Sequence, residues 1–162
     1  ARAHGSVMGG GLGLIAASDI VAAVEGTKFC FSEVKLGLVP SVISSFVLEK
    51  VPVHFAYETM LTAEVFNAEK AEKMGLAHFR GNEAQVESYI QNHLERLAAN
   101  GPEAVRATKK VIGFNLRHDQ SDIMTETIRV ISERRMSEEG QEGMKSFFEK
   151  RSPFWKIHGK ED

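Results

Sequence analysis

The sequence has little or none of several things, and each shortage excludes something. It holds one cysteine, Cys30, among 162 residues. No internal disulfide can therefore form, which fits a reducing compartment, and the cytoplasm is the expected location. The six histidines show no H-x-x-x-H or other metal-ligand spacing, so no metal site is expected. The formal net charge is only -2, too small a field to draw the chain as a whole to nucleic acid. No apolar run is long enough to cross a membrane. The opening Ala1-Arg2-Ala3-His4-Gly5 has neither an initiator Met nor the layout of a signal peptide, so the chain reads as a fragment that begins mid-protein.

What is present is ordinary for a globular protein: 43% hydrophobic and 26% charged residues. The length suits one domain or part of a larger one. Two zones are visible. Residues 1 to about 39 are rich in Gly, Ala, Val and Ile. They read as a strand, a glycine turn, a short buried helix over Leu12 to Ala17, a strand over Ile20 to Val24, and another near Lys28 to Phe31. Buried strand alternating with helix implies an α/β layer.

The remainder reads as helical. Pro40 precedes a helix from Ser41 to Lys50, Pro52 ends it, and another runs through Met60. Asn67 is placed to cap Ala68 to Met74, with Gly75 as the stop. Asn82 and Gln85 have capping-box spacing before a helix that carries Val86, Ile90, Leu94 and Leu97 on one face. Asn100-Gly101-Pro102 breaks it, and the next helix turns Val105, Thr108, Ile112 and Leu116 inward. A further helix carries Ile123, Thr127, Ile128 and Ile131. The last spans about Gln141 to Lys150, delimited by Gly140 and the tail's Pro153.

The stretch Met8-Gly9-Gly10-Gly11-Leu12-Gly13-Leu14 carries the clearest signal. A bare glycine turn opening into a helix leaves amide N–H groups pointing outward. Such donors suit a negative oxygen, on a phosphate or on a reacting thioester. Gly11-Leu12-Gly13-Leu14-Ile15-Ala16 fits the dinucleotide fingerprint in form. That fingerprint needs an acid about 20 residues on. Asp19 is too early, and Glu33 follows no full crossover helix. Tight helix–strand packing is the plainer reading of the glycines.

Glu33 lies in Phe29-Cys30-Phe31-Ser32-Glu33-Val34-Lys35-Leu36. Desolvation favours the neutral form of a carboxyl group and lets one group both take and give a proton. The plainer alternative is an exposed glutamate at a strand end, paired with Lys35. The tail Phe147 to Lys156 mixes aromatic rings and cations, which suits a base and phosphates or a neighbouring subunit.

Taken in order, these segments resemble the crotonase superfamily, the enoyl-CoA hydratase/isomerase family. The matching stretches are His4-Gly5, Met8-Gly9-Gly10-Gly11, Asp19-Ile20, Phe29, Glu33 to Pro40, Leu61-Thr62-Ala63-Glu64, Ala68-Glu69-Lys70-Ala71, Gly75-Leu76, Glu142-Gly143-Met144 and Phe148-Glu149-Lys150-Arg151. The texture of Ser32 to Ser44 is similar to the methylglutaconyl-CoA hydratase-like branch, linked to leucine and acyclic isoprenoid breakdown.

The resemblance implies an α/β fold: part of a ClpP/crotonase-like ββα spiral over residues 1–78, then a C-terminal helical region over 79–162 that assembles trimers or dimers of trimers. It implies an oxyanion hole for an acyl-CoA thioester, with Gly10 giving one N–H and a loop upstream of this chain giving the other. Glu33 matches one of two water-holding glutamates. Gly13 stands where the second would be. Gly9, Gly11, Pro40, Ser41, Phe148, Trp155 and Lys156 are the implied substrate and coenzyme A contacts. No separate cofactor is implied, coenzyme A entering only as part of the substrate. The expected activity is hydration of a 2-enoyl-CoA, nearly absent from the fragment alone. A Δ3,Δ2-enoyl-CoA isomerase using Glu33 as sole acid and base, and a non-catalytic coenzyme A-binding or oligomerisation module, are the alternatives.

Overall fold

The computed structural model describes residues 1–156. The chain divides into two compact units, Ala1–Asn92 and His93–Asp162.

In the first unit the strands are short and their partners define them. They are β1 (Arg2–Ala3), β2 (Ser6–Met8), β3 (Ala22–Val24), β4 (Lys28–Cys30), β5 (Phe66–Asn67) and β6 (Phe79–Gly81). The single strand expected before the glycines is in fact two. Gly5, at φ +65°, turns the chain between them. β1 then joins β3 and β6 in one parallel sheet, with Arg2 opposite Ala22 and Ala22 opposite Phe79. β2 runs parallel to β4 in a second sheet, which β5 closes in antiparallel fashion, placing Phe29 opposite both Val7 and Phe66. The Phe29 and Phe66 rings stack at 5.5 Å.

Four helices of this unit lie between the strands: α1 (Gly10–Ala17), α2 (Ser41–Leu48), α3 (Val53–Thr62) and α4 (Ala68–Lys73). α1 starts two residues earlier than its apolar run suggested, because two of the glycines form its first turn. Leu12, Phe29, Phe31 and Val47 are all fully buried in one core. Asn67 caps α4, its side chain accepting from the Lys70 N–H at 2.9 Å. α5 (Glu83–Ala98) opens with the expected capping box: Asn82 N–H donates to the Gln85 side chain and Gln85 N–H to the Asn82 side chain, both at 2.9 Å.

The second unit takes the end of α5, then α6 (Pro102–Asn115), α7 (Gln120–Met136), α8 (Glu138–Phe148) and a 3₁₀ turn over Phe154–Lys156. Two expectations fail here. Of the α6 residues expected to turn inward, Ile112 and Leu116 are more than half exposed, and Thr108 is exposed. Gly140 does not delimit the last helix but lies inside it, since Ser137 caps the helix start by accepting from the Gly140 N–H at 3.1 Å. A Cβ at Gly140 would run into the Arg134 carbonyl oxygen, so the glycine serves close packing rather than a break.

Candidate active site

The site is built from two turns in the first unit. The first is Gly9, which links β2 to α1. Its N–H donates to the Cys30 carbonyl at 3.0 Å, and its φ of +47° and ψ of -120° form a corner that L side chains rarely adopt. The chain then enters α1 with no side-chain cap. Leu12 N–H turns back to the Gly9 carbonyl at 2.9 Å. The N–H groups of Gly10 and Gly11 have no partner among the described residues. Gly10 is exposed, and a Cβ added there would meet nothing within 4 Å. An open helix N-terminus of this kind carries partial positive charge and free donors.

The second turn delivers the acid. After buried Phe31 the chain forms a 3₁₀ turn over Glu33–Leu36, closed by Gly37 in the left-handed region at φ +69°. Leu38 N–H bonds back to the Glu33 carbonyl at 3.1 Å. The Glu33 side chain lies alongside the glycine corner: a Cβ on Gly9 would sit 3.6 Å from Glu33 Oε1 and 3.4 Å from Ser32 Oγ. Glu33 Oε2 is buried and has no hydrogen-bond partner. No ion pair joins Glu33 to Lys35 among the described residues. A buried carboxylate oxygen without a donor is costly unless something else meets it.

Gly13, one turn along α1, is filled from outside. Ile43 of α2 puts its Cγ2 2.5 Å from where a Cβ on Gly13 would stand. Ile43 is buried, so α1 and α2 meet through this contact. A larger side chain at position 13 has no room unless Ile43 moves.

The family profile described as Enoyl-CoA hydratase/isomerase matches residues 1–158. The chain belongs to the enoyl-CoA hydratase/isomerase family. An enoyl-CoA hydratase of Alternaria alternata, AKT6-1, is 35% identical over 125 residues, covering 74% of this chain and 42% of the fungal protein. Carnitinyl-CoA dehydratase of Salmonella typhi is 27% identical over 96% of this chain and 62% of its own length. The crystal structure of an enoyl-CoA hydratase from Shewanella pealeana superposes with a TM-score of 0.89 at 39% identity, over 95% of this chain and 58% of that one. The chain thus spans between about two fifths and three fifths of the length of these relatives.

The other family positions fall in different places. A Cβ on Gly11 would face Val7 Cγ1 at 3.6 Å, so Gly11 lets α1 lie on β2. Pro40 stands at the N-cap of α2, its carbonyl accepting from the Ser44 N–H at 2.9 Å, and Ser41 is the exposed first residue of that helix. Phe148, Trp155 and Lys156 lie in the second unit. Phe148 is exposed, while Trp155 is half-buried and lines a cavity of about 390 Å³ with Leu97, Pro102, Val105 and Arg106. Sequence reasoning included Ile43 only in the Ser32 to Ser44 resemblance and did not see that it occupies the space at Gly13. It gave no role to Ser32, although Ser32 directly precedes the acid. Among the described residues no cluster of three His, Cys, Asp or Glu is placed to hold a metal, and no helix is long and apolar enough to cross a membrane.

Proposed function

We propose that the chain supplies the acid–base and half of the oxyanion machinery for water addition to a 2-enoyl-CoA. One observation carries the reading: the Glu33 carboxylate, whose Oε2 is buried and unpartnered, has its Oε1 against the same glycine corner that leaves the Gly10 N–H open. The thioester carbonyl oxygen would accept from the Gly10 N–H. Glu33 would take a proton from water as its oxygen bonds to C3. The resulting enolate would place its charge on the thioester oxygen, against α1's N-terminus. Glu33 would then return the proton to C2. The second oxyanion donor would come from outside this chain, and the tail's Phe148, Trp155 and Lys156 would meet the coenzyme A nucleotide. Residues 79–162 would serve trimer or double-trimer assembly.

The packing at Gly13 favours a second reading. With Ile43 filling that space, no second carboxylate can stand there to hold water. Moving a proton between two carbons needs one carboxylate only, which suits Δ3,Δ2-enoyl-CoA isomerisation. Acyl-CoA binding without turnover would instead leave a non-catalytic module.

Glu33→Gln keeps shape and removes the base. In the whole protein it is expected to lower kcat by about 10²–10⁴-fold. Wild-type rates in this variant would overturn the role of Glu33. Offering 2-enoyl-CoA and 3-enoyl-CoA separately distinguishes water addition from double-bond migration.

A further inference from the structure

The tail assigned above to coenzyme A is held in place by one acid on α8. Glu142 has a side chain only 15% exposed. Its Oε1 accepts from Arg151 Nη1 at 2.5 Å and from the Phe154 backbone N–H at 3.2 Å, while its Oε2 accepts from Arg151 Nη2 at 2.8 Å. The other edge of the guanidinium is taken by Glu149, whose Oε2 accepts from Arg151 Nε at 2.7 Å. Exposed single ion pairs contribute little. This one is a two-pronged fork that also binds main chain, which fixes geometry as well as charge.

The next residue on α8 provides a second contact. A Cβ on Gly143 would lie 3.2 Å from Trp155 Cη2, so the indole rests on the bare face of the helix. Lys150 turns the chain back at φ +53°, and the Phe154 ring meets Trp155 edge-on at 5.2 Å. The indole Nε1 is buried without a partner. Adjacent residues of one helix thus pin the tail at its main chain and at its largest ring.

We propose that Glu142 is a positioning residue, acting through Arg151 and the Phe154 N–H to hold Phe154-Trp155-Lys156 in the pose that receives the purine and phosphates of an acyl-CoA. Aromatic faces and an ammonium group match that chemistry. The inference rests on the reading that this tail meets coenzyme A.

Trp155 is the only tryptophan, so its fluorescence reports the tail directly. Glu142→Gln and Arg151→Met are each expected to red-shift its emission and raise its quenching by acrylamide, with helical circular dichroism unchanged. In the whole protein, Glu142→Gln is expected to raise KM for acyl-CoA about tenfold, a loss of about 1.4 kcal/mol, with kcat nearly unchanged. KM for the matching acyl-pantetheine, which lacks the nucleotide, should not move. Unaltered emission and quenching in both variants would overturn the clamp. Altered emission with unaltered KM for both thioesters would overturn the coenzyme A assignment while leaving the clamp. An equal rise in both KM values would show a general structural effect and overturn the positioning role.

Discussion

The two units bury their apolar residues very differently. In the first, Phe29, Phe31, Leu12 and Val47 sit in one closed core. In the second, α6 and α7 have no buried residue, and Ile112, Ile128, Ile131 and Met136 are all more than half exposed. The second unit is ordered instead by polar devices at helix ends. Asp119 caps α7, Ser137 caps α8, and Glu139 reaches across from α8 to accept from the N–H groups of Glu103 and Ala104 at the start of α6. In the first unit, α2 and α3 begin behind prolines and α4 behind Asn67. Among the described helices, α1 alone opens with neither a proline nor a side-chain acceptor. The comparison teaches that the chain can satisfy helix starts wherever it needs to. In the proposed reaction, the bare start at Gly10 is where the thioester oxygen would be received.

The sharpest way to break this contrast is to delete apolar side chains in each unit. Phe29→Ala removes a fully buried ring and should cost about 3–5 kcal/mol in denaturant unfolding. Ile131→Ala, measured at dilution, should stay within about 0.5 kcal/mol. A similar cost at both positions would show that the second unit has a hidden core. Next in size is Gly13→Ala. Its methyl group meets Ile43, and overpacking of this kind should destabilise by about 1–3 kcal/mol, read from the same unfolding curves. In an Ile43→Ala background, which carries its own cavity cost, the added cost of Gly13→Ala should largely disappear.

Acid should give the smallest effect and strike the second unit first. Hydrogen bonding from Arg151 holds the Glu142 carboxyl below its ordinary 4.5, with the Phe154 N–H and the charges of Arg151 and Lys145 adding to this. The Asp122 N–H and Ser121 hold Asp119 below its ordinary 3.8, and Arg129 holds Glu126 below its ordinary 4.5. Groups depressed in the folded state stabilise it above their unfolded values and stop doing so as pH falls through their folded values. In the first unit Lys70 is raised above its ordinary value, the hydrogen bond from its ammonium to Glu64 being the largest cause. That contribution is complete below about 10.5 and is lost only in alkali. Hydrogen exchange along a titration should therefore show α7 and α8 opening below pH 4.5 while α1 stays protected.

Local signals were legible in the sequence. Asn67, Pro52 and the Asn82–Gln85 pair act within four residues, so their chemistry does not depend on the rest of the fold. β5 and β6 were not legible, because strands of two or three residues exist only through their partners. The α6 stripe was visible as a period, yet a period does not say what covers it. At the site, the order of motifs pointed to Glu33 and Gly10. Composition alone could not choose between a desolvated acid and one paired with Lys35. The 3₁₀ turn closed by Gly37 decides the direction of the side chain, and that turn depends on backbone geometry rather than on side-chain pattern.

The corner at Gly9 has a consequence of handedness. Its backbone angles, φ 47° and ψ -120°, are the mirror image of an ordinary extended-turn conformation. A natural side chain at that point works against the backbone. A residue of opposite chirality, introduced by chemical synthesis, would meet no such local penalty. The chain thus places an achiral corner, which evolution cannot vary among the coded amino acids without strain, beside Glu33.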